Sequence, residues 1–426
     1  MLTVNVAVRN WKFMKTATRG AGAAAVCGIK MKAHVLPFVA LEGQSMVRRL
    51  LWVILVMPLV SAPASAASAL PPDPIGVVNT LGAPSPHWMW VNDFVFPHMT
   101  DGQALLVDGD SGRFLGLLST GFGFSRIVIP KDGSVIYSPE TYFARGTRGE
   151  RTDVVSLYDP RTLAPIGEIG IPAKRSSNMP MMSNSELTDD DRFLLIYNFN
   201  PAQSVTVVDT RTRTFVGEIE TAGCALVFPT GPRSFFSMCA DGTLLDVHLN
   251  ERGSVASQAR TVRMFDVAQD PVTEKGVRIG NSWLFVSFGG TLNPVNITAA
   301  GLMPGEKWSL LSAAERQQSW RPGGLQQLAV HAGLKRLYVI VHQGPIESHK
   351  DPGKDVWVYD LARKARVQNI ALKSPAGSIQ VTRDPKPLLF SIFIESTTTD
   401  VYDASSGAHL RSIENIGTTP TIMVNP

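Results

Sequence analysis

The chain has 426 residues, of which 44% are apolar and 18% are charged, and its formal net charge is +4. Residues 1–69 carry eight Lys/Arg and one acidic residue, so the remainder of the chain is close to −3 (4 − 7). The positive charge therefore belongs to the N-terminus. The rest of the chain lacks the Lys/Arg runs that would indicate a nucleic-acid surface, which excludes that class of function.

The N-terminal region predicts export. Met46 is followed by an Arg-Arg pair, the apolar run LLWVILVMPLV and a Ser/Ala-rich stretch, with cleavage expected near Ala66 or Ala69. This order is typical of a secretory signal peptide, and its apolar core is too short for a comfortable membrane span. We assign 46–69 to the signal peptide and interpret 1–45 as a non-native upstream extension.

A Pro-rich segment follows at 70–89. Five prolines within it favour an extended arm ahead of the first β unit. From 90 to 426 the pattern is that of one repeating β domain, with no second domain. A mature chain of this length is large for one core but normal when each unit packs only on its neighbours.

One unit recurs through this domain. A strand ends in Asp, a turn rich in Gly, Ser, Pro or Arg reverses the chain, and a second strand begins, which is a β-hairpin signal. The first three copies are 51 and 50 residues apart. The clear copies carry Asp108, Asp159, Asp209, Asp360 and Asp403, and weaker copies lie around Asp246 and Asn296.

Seven units with a period of about 50 residues indicate a repeat architecture with blade-sized units. The units contain further short β-rich runs, among them Phe193–Tyr197, Trp283–Ser287, Leu337–Val341 and Leu388–Phe393. About four strands per unit predict an all-β fold, a seven-bladed β-propeller. The alternative is an irregular pair of β-sandwiches, which would not need a shared turn at a constant period.

Two cysteines remain after the predicted signal peptide. Cys224 and Cys239 flank VFPTGPRSFFSM, which reads as strand, turn and strand with the thiols on adjacent strands. An even pair in an exported protein favours a disulfide, and two buried free thiols are the alternative. No CxxC motif occurs, which disfavours covalent haem and a redox dithiol.

One helix is predicted, at Ser309–Gln318, where Ser312 and Glu315 have the spacing of a capping box. It lies in the longest interval between units and is interpreted as an insertion on one face of the ring. His342 and His349 could ligate a metal, but we interpret them as polar residues of a surface loop.

The sequence contains no complete motif for catalysis, metal binding or phosphate binding. There is no Gly-x-Ser-x-Gly elbow, no HExxH pair and no phosphate loop in a strand-to-helix context. The run Asp189-Asp190-Asp191 precedes a strand and reads as a turn. We therefore predict no catalytic residue and no metal ligand, which leaves a binding scaffold, a subunit of a larger enzyme, or an enzyme with an unseen cofactor.

Several ordered segments resemble a known family. They are RGERTDVVSLYDPRTLAPIGEIGIP from Arg148, LTDDDRFLLIYNFNPAQSVTVVDTRTRTFVGEIE from Leu187, CALVFPTGPRSFFSMCADGTL from Cys224, LSAAERQQSWRPGGLQQLAVHAGLKRLYVIVHQG from Leu311 and DPKPLLFSIFIESTTTDVYDASSGAHLRSIENIG from Asp384. These segments are similar to the heavy subunit of the tryptophan tryptophylquinone-dependent amine dehydrogenases, the methylamine and aromatic amine dehydrogenase family. The resemblance runs from about residue 90 to the C-terminus.

The resemblance implies a periplasmic α2β2 enzyme that oxidises a small primary amine to an aldehyde and ammonia. The tryptophan tryptophylquinone would lie on a separate light subunit, and electrons would leave to a blue-copper protein or a cytochrome c. It also implies a Cys224–Cys239 disulfide.

A substrate-channel Phe follows a Val-Asn-Asp segment in this family. Phe96 is the nearest match, but the interval after Asp93 is one residue longer here, so Phe94 is the other candidate, and ordinary core packing is the alternative for either residue. Two further functions stay open beside the amine dehydrogenase subunit. One is a free-standing secreted propeller that binds a partner without enzymatic activity, and the other is a propeller enzyme with an axial quinone or metal.

Overall fold

Residues 79–426 are described by a computed structural model, in which the strands pair into seven antiparallel sheets. Each sheet is one blade, and the blades follow one another along the chain, which confirms the predicted seven-bladed β-propeller. The predicted extension (1–45) and signal peptide (46–69) lie outside the described residues, as does the first part of the predicted arm (70–89).

The strands are numbered in chain order. Blade 1 contains β1 (Trp88–Asp93), β2 (Gly102–Asp108) and β3 (Phe114–Gly121); blade 2 contains β4 (Ile136–Phe143), β5 (Arg151–Tyr158) and β6 (Pro165–Ile171); blade 3 contains β7 (Ser185–Leu187), β8 (Phe193–Asn198), β9 (Ser204–Asp209) and β10 (Thr214–Glu220). Blade 4 contains β11 (Cys224–Gly231), β12 (Ser234–Cys239), β13 (Leu244–Leu249) and β14 (Val255–Arg260).

Blade 5 contains β15 (Val277–Ile279), β16 (Ser282–Val286), β17 (Thr291–Thr298), β18 (Gly301–Pro304) and β19 (Trp308–Ser309). Blade 6 contains β20 (Trp320–Pro322), β21 (Leu328–His331), β22 (Arg336–Gln343), β23 (Gly353–Asp360) and β24 (Ala365–Ala376). Blade 7 contains β25 (Ser378–Val381), β26 (Leu388–Ile392), β27 (Thr399–Asp403) and β28 (His409–Ile413), and the last strand, β29 (Pro420–Val424), joins blade 1.

In blade 3, burial is complete in the two middle strands and low in the outer strand. Every residue of β8 and β9 is buried, because these strands pack between two neighbouring blades, and their continuous apolar runs reflect burial on both faces. Every residue of the outer strand β14 is exposed. Between blades 4 and 5 the core is aromatic, with the Phe228 ring centroid 4.9 Å from that of Phe236 and 5.1 Å from that of Trp283.

The repeated Asp ends the third strand of a blade and caps the turn to the fourth. The Asp159 carboxylate accepts hydrogen bonds from the backbone N–H groups of Arg161 (2.9 Å) and Thr162 (2.8 Å). Asp403 accepts in the same way from Ser405 (3.1 Å) and Ser406 (2.7 Å). These bonds replace water on backbone donors that a tight turn leaves unpaired, which is why the sequence repeats Asp there.

The two weak copies of the unit were placed on the wrong residues. Asp246 lies within β13, opposite Phe236 and Ala259, and the turn residue of blade 4 is Asn250. Asn296 lies within β17, and Thr298 caps the blade 5 turn by accepting a hydrogen bond from the backbone N–H of Ala300 (3.2 Å). Asn and Thr can also accept this hydrogen bond, so the search for Asp located both blades but shifted the turns.

The cysteines form the predicted disulfide. Cys224 begins β11, Cys239 ends β12, and the two residues face each other directly in the register, with Cα atoms 3.9 Å apart. The bridge therefore fastens the inner strand of blade 4 to its neighbour at one end of the hairpin.

The predicted helix is present but short. Helix α1 spans Ala313–Gln317, and the capping box between Ser312 and Glu315 is formed in both directions. The predicted helix began too early, because Ser309 belongs to β19, where it pairs with Thr291 of β17. Within residues 79–426, no helix has the length and hydropathy of a membrane span.

The ring closes between the first and last strands of the described region. β29 pairs with β1, so blade 1 takes its inner strand from the C-terminal end and its other three from the N-terminal end. The described part of the arm lies against the ring, where the backbone N–H of Leu81 donates to the Arg161 carbonyl (2.8 Å). At His87 the ring nitrogens bind Asp110 (2.7 Å) of blade 1 and Asp384 (3.1 Å) of blade 7.

Candidate functional site

The two faces of the ring differ in their connections. Second-to-third strand loops and blade-to-blade connections meet on one face, called the loop face here. First-to-second and third-to-fourth strand turns meet on the other, the turn face. Between the named strands of residues 79–426, the turn-face connections have two to six residues, whereas the loop face has loops at 94–101, 172–184, 261–276 and 344–352. Long loops on a rigid scaffold are where binding residues concentrate, so the loop face is the candidate site.

Asp93 organises the loop after β1. Its buried carboxylate accepts hydrogen bonds from the backbone N–H groups of Val95 (2.9 Å), Thr418 (2.5 Å) and Thr419 (2.9 Å). The bonds join the blade 1 loop to the connection that leads into β29. Gly417 fits beside this carboxylate because a Cβ atom there would lie 2.7 Å from Oδ2, and its φ of +76° suits glycine.

The two candidate phenylalanines have opposite environments. Phe94 is 4% exposed and packs in a small core with Phe124 and Ile422. Phe96 is 47% exposed and begins a 3-10 helix, and its backbone N–H donates to Oγ1 of Thr419 (2.8 Å). The structure therefore places Phe96 on the loop face and Phe94 beneath it, with ring centroids 5.8 Å apart.

A left-handed residue separates the two rings. Val95 has φ 46° and ψ 52°, a conformation that is uncommon for a β-branched residue. The turn ends β1 and redirects the chain, so that Phe94 points into the core and Phe96 does not. The hydrogen bonds that Asp93 accepts stabilise this conformation.

A buried carboxylate lies near the loop after β1, between blades 1 and 2. Glu140 is fully buried and accepts hydrogen bonds from the hydroxyl groups of Tyr142 (2.6 Å) and Ser156 (2.5 Å). Burial raises the pKa of Glu140, and these hydroxyl groups oppose that rise. Tyr142, a member of this network, is 40% exposed. The next residue, Phe143, forms a T-shaped pair with Phe122, with ring centroids 4.9 Å apart.

Exposed apolar side chains are common on the loop face. Six large ones lie on its loops or strand ends: Phe96, Tyr142, Phe199, Val262, Val267 and Ile346. Leu334 is the exposed large apolar residue on the turn face among the described residues, and the others lie on outer strands. Apolar groups gathered on one face of a soluble domain indicate a contact surface.

A small cavity opens where the central channel reaches the loop face. It is lined by Met181, Met182, Lys275, Gln326 and Gln380 among others and has a volume of ≈ 50 Å³. A cavity of that size holds a few water molecules, whereas sites for organic ligands take several hundred Å³. Burial lowers the pKa of Lys275 to about 8, and its ammonium donates to the Gly324 carbonyl.

The interpretation of His342 and His349 as surface residues was wrong. Both are buried, at 9% and 8% exposure. The Nε2 atom of His342 is 2.8 Å from Oγ of Ser348, and the His349 ring stacks on Phe288 with centroids 3.9 Å apart. Burial lowers the pKa of both imidazoles, that of His349 to about 4, so they pack as neutral rings.

Residues 79–426 contain no group of three or more His, Cys, Asp or Glu side chains placed to hold one metal ion. Asp189, expected in a turn, does lie between β7 and β8, and its carboxylate also pairs with Arg278 at 2.5 Å. Asp93, Glu140 and Tyr142 were not singled out from the sequence. A single Asp before an aromatic residue has no distinctive sequence pattern. The hydrogen-bond partners of Glu140 are brought to it by tertiary pairing of strands, which the sequence does not show.

The chain is similar to proteins of one known family. The family described as methylamine dehydrogenase heavy chain matches residues 87–425. The methylamine dehydrogenase heavy chain of Paracoccus versutus is 33% identical over 322 residues, covering 75% of this chain and 75% of the relative. That of Methylorubrum extorquens is 30% identical over 329 residues, covering 76% and 78%.

Solved structures are similar at the level of the fold. A dihydro-heme d1 dehydrogenase aligns with a TM-score of 0.53 and 17% identity over 84% of this chain and 78% of its own. A putative 6-phosphogluconolactonase from Bacteroides uniformis gives 0.54 and 11% over 79% and 98%. Identities this low indicate a shared propeller architecture, and a fold of this kind serves many functions.

Proposed function

The chain belongs to the methylamine dehydrogenase heavy chain family, and we propose on that premise that it is the heavy subunit of an exported quinoprotein amine dehydrogenase. The observation that carries the proposal is the extent of the match, residues 87–425, which spans the whole ring from β1 to β29. The proposed reaction converts a primary amine and water to an aldehyde and ammonia, with two electrons and two protons passing to a quinone.

The quinone in this proposal is tryptophan tryptophylquinone on a separate light subunit, where it supplies the electrophilic carbonyl and accepts the electrons. The cavity on the loop face has ≈ 50 Å³, which does not fit an organic cofactor. In the proposed complex, this chain contributes a surface that holds the light subunit and shapes the path of the substrate. The electrons would leave to a blue-copper protein or a cytochrome c.

The light subunit would dock on the loop face. Phe96 and Phe199 are each 47% exposed there, and Val262 is 69% exposed, so apolar area is available to be buried. Aromatic side chains at the centre of an interface supply much of its binding energy. Docking of the light subunit on the loop face would leave the short turns of the turn face uncovered.

Phe96 would line the substrate channel at this contact. Its ring is presented by a loop whose backbone is fixed by Asp93 and Thr419, so its position is well defined before any partner binds. An exposed aromatic ring at a channel mouth excludes water from the path and limits the size of the amine that passes. Phe94 would support this ring from the core.

The proposed location is the periplasm. The predicted signal peptide at 46–69 would direct export, and the disulfide between Cys224 and Cys239 is the kind of bond that persists in an oxidising compartment.

The test is co-expression of the full chain, in a periplasmic host, with a small Cys-rich candidate light subunit that contains two tryptophans. We expect a stable complex of both chains that reduces an artificial dye when a primary amine is added. Phe96→Ala should change KM and the preference between short and aromatic amines. Phe199→Ala is the matched control, since its ring is equally exposed on the same face, and it should leave amine preference unchanged.

A chain that stays monomeric and is isolated with no light chain and no amine-dependent dye reduction would overturn the proposal. That outcome would favour a free-standing secreted propeller that binds a partner. A quinone or metal spectrum from the isolated chain would instead favour an enzyme with an axial cofactor.

A further inference from the structure

A buried arginine of the loop 172–184 binds the segment that connects blade 1 to blade 2. Arg175 is 4% exposed, and its guanidinium donates hydrogen bonds to the carbonyls of Phe124 (2.8 Å) and Phe122 (3.2 Å). Burial lowers the pKa of Arg175 to about 10, and the charge of Asp153 opposes this change. The guanidinium is therefore charged near neutral pH, and both hydrogen bonds are charge-assisted.

The backbone of Arg175 is itself fixed by blade 2. Oδ2 of the buried Asp153 accepts a hydrogen bond from the Arg175 N–H (3.0 Å). Arg151 binds both oxygens of the same carboxylate (2.8 and 2.7 Å), and its Nη2 also donates to the Arg175 carbonyl (2.8 Å). Arg151 and Asp153 belong to the segment from Arg148 that carries part of the family resemblance. These bonds hold Arg175 on both sides of its Cα atom.

The segment that this guanidinium binds contacts the loop after β1 in two places. The Gly123 N–H donates to the Met99 carbonyl (2.6 Å), and the ring centroid of Phe124 lies 6.2 Å from that of Phe94. Met99 is the C-cap of the 3-10 helix in that loop, and Phe94 lies just before the helix begins. The first residue of the helix is Phe96, so residues 122–124 support the helix near both of its ends.

We propose that Arg175 is a positioning residue for Phe96, acting through the backbone of residues 122–124. The inference rests on the proposed function, which places Phe96 at the mouth of the substrate channel. One guanidinium that binds two carbonyls fixes this backbone at two points. Without it, both carbonyls lose a charge-assisted bond, and the segment is free to move toward other donors. The ring of Phe96 would then lose its defined position.

The first measurement is amide hydrogen exchange of the full chain, expressed alone and exported, which requires no light subunit. Exchange of the amides at 95–101 reports how firmly the loop is held. Arg175→Met keeps the unbranched side chain but removes its donors, and we expect it to raise exchange there about tenfold. Arg175→Lys keeps the charge but loses the paired donors, so it should raise exchange less.

Arg151→Gln is a second variant of the same arrangement. It removes the bond to the Arg175 carbonyl at a side chain that is 22% exposed. We expect exchange at 95–101 to rise in this variant as well, by less than in Arg175→Met. This variant tests the proposal if Arg175→Met does not fold, which circular dichroism checks.

Arg278→Met is the matched control. Arg278 also donates to a backbone carbonyl, that of Pro229 (3.1 Å), but it lies in β15 of blade 5. It pairs with Asp189, so its loss should also lower stability. Exchange at 95–101 should nevertheless stay within about twofold of the wild type.

The second measurement is a double-mutant cycle in the assembled complex. Arg175→Met should raise KM for the amine and leave kcat within about twofold, because the ring acts on the path of the amine and not on the step at the quinone. In a Phe96→Ala background it should cause little further change in KM, because Arg175 acts through that ring. A residue that only stabilises the fold would change KM independently of Phe96.

Three results would overturn the inference. One is unchanged exchange at 95–101 in Arg175→Met, and another is an equal rise in Arg278→Met, which would indicate a general loosening of the ring. The third is additive changes in KM for Arg175→Met and Phe96→Ala in an active complex. The proposed function fails separately, if the wild-type complex shows no amine-dependent dye reduction. Exchange in the isolated chain still shows in that case whether Arg175 holds the loop.

Discussion

Phe94 and Phe96 are two positions apart in the sequence, and the chain conformation between them separates their environments. β1 ends at Asp93, and the left-handed Val95 places one ring in the core and the other on the loop face. A strand would have put residues two apart on the same side. The sequence left two candidates for the proposed substrate channel, and the local backbone gives the two rings different environments.

The two phenylalanines should respond differently to truncation. Phe94→Ala should lower the free energy of unfolding by about 3 kcal/mol, because it leaves a cavity beside Phe124 and Ile422. Phe96→Ala should change it by about 0.5 kcal/mol or less, because that ring is already half exposed. Urea unfolding of the two variants checks this, and equal losses would contradict the assignment of Phe96 to the surface.

His87 should make stability depend on pH. Burial lowers the pKa of its imidazole, but the hydrogen bonds to Asp110 and Asp384 outweigh it, and the net shift is upward. A raised folded-state pKa means that the stabilisation is complete below the unfolded pKa, about 6.5. It is lost as pH rises through the folded-state pKa.

We expect His87→Gln to cost about 1 kcal/mol at pH 6, allowing for screening by solvent. The difference between wild type and variant should shrink as pH rises above the folded-state pKa. Urea unfolding at pH 6, 7, 8 and 9 measures it. A difference that stays constant, or grows with pH, would rule out the charged imidazole as its cause. His248→Gln is the control, since that side chain is 53% exposed.

At the scale of elements, the hairpin is the unit that the sequence specifies most clearly. Asp108, Asp159, Asp209, Asp360 and Asp403 each accept hydrogen bonds from the turn that follows. A local bond between a side chain and its own turn needs no partner from elsewhere, so its signature is visible in sequence. The turns at Asn250 and Thr298 use other acceptors, which explains why the search for Asp misplaced them.

The disulfide is a second local element whose effect can be measured. Replacing both Cys224 and Cys239 by Ala should lower the free energy of unfolding by about 3 kcal/mol, the loop-closure estimate for a crosslink of this span. Turnover per assembled complex should be unchanged, because the proposed channel residue is on blade 1 and the bridge is on blade 4. Added reductant should lower the Tm of the wild type but not that of the variant. A loss of activity at unchanged stability would count against a structural role.

For the whole molecule, closure of the ring depends on one short strand. Ile422 and Met423 of β29 are fully buried, and the strand pairs with β1, more than 300 residues earlier. Gln326 of the segment before β21 also binds Met423, with its side-chain oxygen accepting from the backbone N–H at 2.7 Å. β29 therefore connects blade 1 to the rest of the ring.

Deletion of residues 420–426 should abolish cooperative folding. Burying each of the apolar side chains of β29 contributes about 1.5–3 kcal/mol to stability. The total free energy of unfolding of a domain is only about 5–15 kcal/mol. We expect the truncated chain to be insoluble or to lose its unfolding transition. Met423→Leu, a volume-conserving change, should cost about 1.5 kcal/mol or less and keep the transition. A truncated chain that melts cooperatively near the wild-type Tm would show that the ring does not need this strand.

The seven blades, the cysteine pair and the family resemblance can be recognised from the amino-acid sequence, because each depends on local strings or on a period along the chain. The surroundings of single side chains depend on the tertiary structure. It buries His342 and His349, the latter stacked on Phe288, exposes Phe96 rather than Phe94, and pairs β29 with β1. These contacts join residues far apart in sequence, and no local pattern marks them.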